Sequence, residues 1–391
     1  MTKSKLTSLI LLSLITFMAL PASAATFEVS GWIPWWREKE GAKSAQLNLT
    51  RLSEINPFGF AVKNDGTLSD VMGIKKSPWT KLIKEARKKK VKVVPTVMWS
   101  DGARIHEILT DEDKREKHIK AIVSMVKKGK YEGVDINYEG KLAATREGFS
   151  TFLTELDKAL GSKYLSCTIE SRTPPDSLYT TPREVQYVND FKVIGQVCDR
   201  VKIMTYDQQR ADIKLNAQNA ATPYAPVSDV AWVRKVMTVA MAEIPKEKIM
   251  LGIPTYGYEY EIIASANRFT NYAKVWALNP QYGIDRAKEF NITPGRTAAG
   301  EMGFTYRPAT TTPYFPTSLP VAAGSAAHNL VSAQSLSYSN LTGLRVPFYL
   351  VTWSDAEAVK QKVDLAKQLG IAGVAFFKID GAEDKNIWKL F

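Results

Sequence analysis

The sequence predicts an α/β protein folded as a (β/α)8 TIM barrel, with a β-rich insertion between the seventh strand and its helix. Three observations predict it. Short apolar runs recur along the chain, separated by segments whose apolar residues fall at helical spacing; strands alternating with helices at this pitch make parallel β/α units. The strand runs are nearly continuous in apolar residues, as expected when both faces of a sheet are covered. One run, Tyr131 to Gly140, departs from that rule. The two-residue period of a strand puts Asp135, Asn137 and Glu139 on one face and Val134, Ile136 and Tyr138 on the other, toward an apolar layer. Three polar groups on one face of such a strand are costly to bury without a purpose.

Residues 27–33 form the first strand, ending in the cluster Trp32, Trp35 and Trp36. A short helical stretch from Asn48 leads to a second strand at 57–62. Residues 79–90 have helical spacing and precede a third strand at 91–97. Residues 111–129 are helical, with Ile119, Ile122, Val123 and Val126 on one face. The polar-faced strand is the fourth. A helix at 145–160, a strand at 164–169, a helix within 182–198 and a strand at 200–206 follow. A helix at 228–242 and a seventh strand at 249–255 come next. The rhythm then stops. Residues 257–346 are rich in Thr, Ala, Pro, Ser and aromatics, with no convincing helix. They read as a β-rich insertion packed on the barrel, because Trp276, Phe304, Tyr306, Tyr314 and Phe315 need burial. The rhythm resumes with 346–353, a helix at 355–369 and the eighth strand at 372–379.

Composition narrows the function. A chain of 391 residues that is 45% hydrophobic and 10% aromatic forms a large core and is not disordered. The formal charge is +12, but no nucleic-acid motif accompanies it, and runs such as 81–90 read as solvated helix faces. No nucleic-acid partner is expected; the charge suits adhesion to an anionic cell wall. Residues 1–24 have a basic start, an apolar run and the small residues Pro21, Ala22, Ser23 and Ala24, the pattern of a secretory signal cleaved after Ala24. The mature chain, 25–391, is therefore expected outside the cytoplasm, secreted or periplasmic, with no membrane anchor and as a monomer. Cys167 and Cys198, placed near opposite ends of neighbouring strands, are expected to be two free buried thiols. His106, His118 and His328 lack ligand spacing, and no Gly-rich phosphate loop follows the first strand. Neither a metal nor a cofactor is expected.

Active sites of such barrels lie at the C-terminal ends of the strands. The groups there are Trp35 and Trp36, Glu139, Glu170 with Arg172, Tyr206 and Asp207, Tyr256, and Phe377. One carboxylic acid ringed by aromatics suits cleavage of a sugar polymer, since desolvation raises a carboxyl pKa toward that of a general acid. By position, Asp135 lies deeper and reads as scaffold, whereas Glu139 reads as catalyst.

At these residues the sequence resembles glycoside hydrolase family 18, which includes chitinases and endo-N-acetylglucosaminidases. The family's fourth-strand pattern Asp-Gly-x-Asp-x-Asp-x-Glu is met by Glu132, Gly133, Asp135, Asn137 and Glu139. The sixth-strand Met-x-Tyr-Asp is met by Met204, Tyr206 and Asp207, and the seventh-strand Gly-x-Pro-x-Tyr-Gly by Gly252, Pro254, Tyr256 and Gly257. The segments 353–358 and 369–374 look like the end of bacterial spore- and wall-associated members. The resemblance implies retaining, substrate-assisted hydrolysis of N-acetylglucosamine polymers such as chitin or peptidoglycan, without a metal or an enzyme nucleophile. It gives Glu139 the role of general acid and base. Tyr206 would contact the substrate acetamide, Asp207 would hold the sugar or the ring, and Trp35, Trp36, Tyr256 and Phe377 would line the subsites.

Two departures stand out. Asn137 replaces the family's second Asp, bringing hydrogen bonds but no charge. Asp135 is expected to compensate by bonding to it. Phe377 replaces a Trp at the sugar floor. These departures keep a second reading open, a chitinase-like protein of weak activity that binds such sugars as a lectin does. Retention of Glu139 favours the enzyme.

Overall fold

The computed structural model describes residues 26–314, 319–322 and 324–391. The signal reading of 1–24 and the burial expected for Phe315 concern residues outside these. Seven strands of the barrel wall come first, apart from two short strands at Leu68–Asp70 and Lys92–Val93 that pair with the second: β1 (Glu28–Pro34), β2 (Glu54–Val62), β3 (Thr96–Trp99), β4 (Gly133–Tyr138), β5 (Tyr164–Glu170), β6 (Arg200–Met204) and β7 (Ile249–Pro254). The eighth barrel strand, β12 (Gly373–Phe377), pairs in parallel with both β7 and β1, while β1 also pairs with β2. That closes the ring. Closure leaves no free edge in the ring and aims every strand's C-terminal end at one mouth.

Between the strands lie α1 (Glu38–Leu47), α2 (Trp79–Lys88), α3 (Gly102–Thr110), α4 (Glu112–Gly129), α5 (Arg146–Leu160), α6 (Phe191–Val197), α7 (Ile213–Gln218) and α8 (Val230–Met241). Several start on aspartate caps whose carboxylates accept backbone N–H groups: Asp111 before α4, Asp190 before α6 and Asp229 before α8. Their apolar faces pack on the outward side chains of the strands; Val134, Ile136 and Tyr138 are all fully buried there. α6 lies within 182–198, where a helix is expected; its Asp190 cap sets its start, and the preceding segment runs as loop.

The insertion is a five-stranded antiparallel sheet that shares no pairing with the barrel. A hairpin of β8 (Gly257–Ser265) and β9 (Arg268–Leu278) pairs through β8 with β11 (Val346–Trp353), and β11 pairs with β10 (Met302–Tyr306). Two helices accompany it, α9 (Pro280–Glu289) and α10 (Leu330–Thr342), where the sequence predicts none. α10 escapes sequence reading because its buried positions are serines, Ser332, Ser335 and Ser339, which carry no apolar periodicity. Burial of the insertion's aromatics is also selective. Phe304 and Tyr306 are buried, but Tyr314 stays largely exposed and Trp276 half-exposed on β9, the edge strand of the sheet. The last helix, α11 (Ala356–Leu369), precedes β12.

The cysteines correct a further expectation. Cys167 and Cys198 form a disulfide, with Cα atoms 6.1 Å apart. Cys198 is not at the far end of a neighbouring strand. It caps the C-terminus of α6, outside the barrel wall, and Cys167 is one of the β5 residues that face outward. The two meet across the gap between helix and sheet, within bridging distance.

Candidate active site

β4 delivers three inward groups at increasing height. Asp135 is fully buried and accepts hydrogen bonds from Trp32 Nε1 (3.0 Å), Thr96 Oγ1 (2.9 Å), Ser166 Oγ (2.8 Å) and Thr168 Oγ1 (2.9 Å). Lys202 Nζ lies 3.6 Å from it and 2.7 Å from Glu54, both lysine and Glu54 being buried inside the barrel. Asp135 is thus saturated by donors from β1, β3 and β5 and has no bond to Asn137. The expected Asp135–Asn137 contact is absent. Asn137 turns the other way, its Nδ2 donating to Glu139 Oε1 at 2.9 Å, and its buried Oδ1 has no partner.

Glu139 sits just past the end of β4, its N–H donating to Trp99 O at 2.8 Å, and Gly140 follows at φ +64°, a left-handed turn suited to glycine. Burial pushes the Glu139 carboxyl above its ordinary value, against the pull of the Asn137 hydrogen bond; Glu170 and Asp207 add to the rise and Lys141 opposes it. A group in that state holds its proton to higher pH, which is what a general acid needs.

Glu139 and Asn137 line a cavity of about 380 Å3 with Trp32, Glu170, Tyr206 and Phe377. A second cavity of about 380 Å3 adjoins it, sharing Asp207 and Phe377 and adding Trp36, Tyr256, Tyr258 and Lys378. Together they form one cleft across the strand ends. Phe377, at the end of β12, stacks on Tyr206 (centroids 5.5 Å, 19°) and meets Trp32, Phe58 and Tyr256 edge-on. Gly252 on β7 permits this packing, since a Cβ there would strike Ile203 O and press on Tyr206. Asp207 takes φ +58°, a left-handed conformation that Asp tolerates better than most residues. It accepts hydrogen bonds from Tyr256 OH and, at 2.6 Å, from Tyr258 OH. Burial raises Tyr206 and Tyr256 well above the ordinary phenol, so both are hydrogen-bond donors at any working pH.

The predicted site residues divide. Asn137, Glu139, Tyr206, Asp207, Tyr256, Phe377 and Trp36 all line the cleft, with Asp135 beneath it. Trp36 is half exposed and meets Phe58 edge-on. Trp35 packs against Trp36 but lines neither cavity. Arg172 turns away from the mouth: it donates to Asn189 O and Glu243 and lies over the rings of Tyr187 and Phe191.

Sequence reasoning missed three groups. Lys141, its side chain buried, reaches Tyr138 O and lies 3.2 Å from Glu170, which Asn189 Nδ2 also holds at 2.8 Å. Burial pulls the Lys141 ammonium down while Glu170 pulls it back up. Tyr258 supports Asp207, and its inward face was readable from β8 parity with Tyr256. His118, on the lysine-rich helix α4, is buried between Gly66 O and Tyr138 OH, both at 2.5 Å, so Tyr138 has a polar anchor in its apolar layer.

A closed (β/α)8 barrel with a partly buried carboxyl under a ring-lined cleft at its strand ends defines the class of a glycosidase. The family model for glycosyl hydrolases family 18 matches residues 32–382, and the chain belongs to that family. It is 21% identical over 319 residues to an uncharacterized glycosylase, YvbX, of Bacillus subtilis, covering 79% of this chain and 77% of that one. It is 23% identical over 357 residues to a cortical fragment-lytic enzyme of Bacillus anthracis, covering 89% of this chain and 70% of the relative. Among solved structures, a class V chitinase of Pseudomonas fluorescens Pf-5 superposes with a TM-score of 0.68 at 21% identity, over 93% of this chain and 98% of that one.

Proposed function

We propose that the protein is an exported glycosidase that hydrolyses β-1,4-linked N-acetylglucosamine-containing polysaccharide, chitin or the peptidoglycan glycan, by retaining substrate-assisted catalysis. The observation that carries this reading is the Glu139 carboxyl, half-buried in the wall of the cleft and held by Asn137. In the first step the acetamido carbonyl oxygen of the bound sugar attacks its own anomeric carbon. The glycosidic C–O bond breaks, and Glu139 gives its proton to the departing oxygen. In the second step Glu139 takes a proton from water, which opens the resulting oxazolinium ion and restores the acid. Tyr206 donates to the acetamide oxygen. The Oδ1 of Asn137, buried without a partner, accepts the acetamide N–H. Asp207 fixes the sugar or the two phenols beside it, Phe377 forms the apolar floor, and Trp36 and Tyr256 extend the aromatic wall, with Trp35 edge-on against Trp36.

Asp135 acts from below as a scaffold, holding four neighbouring side chains in register. Asn137 stands where the family pattern has Asp, so the oxazolinium gains less charge stabilisation and turnover is reduced. The insertion subdomain, expected over 257–346, takes in β11 as well, since that strand pairs with β8 and β10 and not with the barrel, and it walls the cleft. Export follows from the signal pattern of 1–24, and the Cys167–Cys198 disulfide suits an oxidising compartment. No helix among the described residues is long and apolar enough to cross a membrane.

A product assay on chito-oligosaccharides and on purified peptidoglycan tests the reading. Glu139→Gln should lower turnover by ~10²–10⁴ while leaving sugar binding intact. Unchanged turnover would remove Glu139 from the mechanism. Binding without turnover in the unaltered protein would favour a lectin-like role.

A further inference from the structure

A third cavity, of about 350 Å3, lies outside the cleft, between the loop after β6 and the far end of the β8–β9 hairpin. Its walls include Arg210, Asn216, Tyr224, Arg268, Phe269 and Tyr272, and no Asp or Glu. The cleft instead carries carboxylates in both parts, Glu139, Glu170 and Asp207 in one and Asp207 and Asp380 in the other, the latter beside Arg37 and Lys378. Both arginines are exposed, and neither forms an ion pair among the described residues. Arg210 is nonetheless held in place. Its Nη1 donates to Tyr224 O at 3.0 Å, and its guanidinium lies 4.3 Å from the Tyr272 ring centroid. Asn216 Nδ2 donates to Arg210 O at 2.9 Å, which fixes the amide's orientation, and its Oδ1 is buried with no partner.

These groups describe a ligand. Two guanidiniums call for a carboxylate, the aromatic rings for an apolar sugar face, and the open amide oxygen for an N–H or O–H. A neutral N-acetylglucosamine polymer supplies the last two alone. A peptidoglycan strand supplies all three, since its muramic acid units carry a lactyl carboxyl, free or extended by peptide. The spacing suits one polymer. Arg210 follows Asp207 by three residues, at most ~11 Å of chain. Tyr272 stands six residues up β9 from the cleft residue Leu278, ~20 Å at strand rise.

We infer that this cavity is a carboxylate-binding subsite that engages a peptidoglycan strand lying in the cleft, so that the protein takes peptidoglycan over chitin. The inference rests on the cleft's being a glycan site.

Co-sedimentation with purified sacculi, stripped of phosphate-bearing wall polymers, tests it without requiring turnover. The Arg210→Ala/Arg268→Ala variant should bind sacculi at least ~10-fold more weakly, as loss of one or more charge-assisted hydrogen bonds implies, and bind chito-oligosaccharide as before. Lys81→Ala/Lys84→Ala, which removes the same charge from the exposed face of α2, should change neither. Amidation of the sacculus carboxyls should weaken the unaltered protein to the level of the arginine variant. The exposed single change Arg268→Glu serves as a second variant should the double one fail to fold, and it should weaken sacculus binding alone. Unchanged binding in the arginine variants, equal loss in the lysine control, persistence after amidation, or loss on stripping of phosphate polymers overturns the inference. Failure to cut either polymer would overturn the hydrolase reading instead, and the sedimentation result would still decide the anion site.

Discussion

The strand-four residues show how much of a site parity alone can place. Period two puts Asp135, Asn137 and Glu139 inward, and all three lie inward or just above the barrel. Parity cannot choose among hydrogen-bond partners. Asp135 is taken by donors from three other strands, so Asn137 is left to Glu139. This makes a pH prediction. Glu139 must be protonated to act as acid, so activity falls as pH rises through its pKa, and burial sets that fall above the ordinary value of 4.5. Asn137→Asp removes a hydrogen bond that favours the ionised form and adds a like charge beside it. Its pH–rate profile should move the basic limb to higher pH than the unaltered protein's. A limb that stays or moves down would mean that Asn137 does not set the proton affinity of Glu139.

Elements meet in ways their own patterns conceal. The lysine-rich α4 shows an apolar face in its sequence but not the partner of its His118, which reaches Tyr138 on β4 and packs against Phe152 of α5. Burial holds the His118 imidazole near pKa 4, against an ordinary 6.5. The folded state therefore binds fewer protons than the unfolded chain between those values. Stability is full above pH 6.5 and declines as pH falls toward 4, by about 3 kcal/mol from this group. Thermal melts from pH 7.5 to 4 should show that loss, and His118→Gln should flatten it. An equal acid slope in the variant would assign the loss to other groups. α10 makes the same point from the other side. Its fully buried positions are serines, so its contact with the sheet shows which side is inside.

Across the whole molecule, the ring of strands brings together groups far apart in sequence. Lys202 meets Glu54 and Asp135, 148 and 67 residues away, inside the barrel, where a buried charge is costly unless it is paired. The disulfide acts at this scale too, closing a loop with a sequence separation of 31 residues. Cross-linking a loop of that length stabilises by roughly 3–4 kcal/mol in the chain-entropy account. The denatured, unreduced protein should show no free thiol, and Cys167→Ser/Cys198→Ser should melt lower. Two titratable thiols in the purified, unreduced protein would contradict the bridge.

The order of apolar runs by itself determined the barrel, because alternating β/α units of one pitch have few ways to bury their apolar faces. Period two then placed the inward residues of β4, and position at strand ends picked out most of the cleft: Glu139, Tyr206, Asp207, Tyr256 and Phe377. Only the tertiary structure decided how those groups are wired. Lys141 on Glu170, Tyr258 on Asp207, Lys202 beneath Asp135 and the paired cysteines all depend on distances between strands, helices and loops. A linear pattern records which face a side chain takes; which partner waits there is set by closure of the ring.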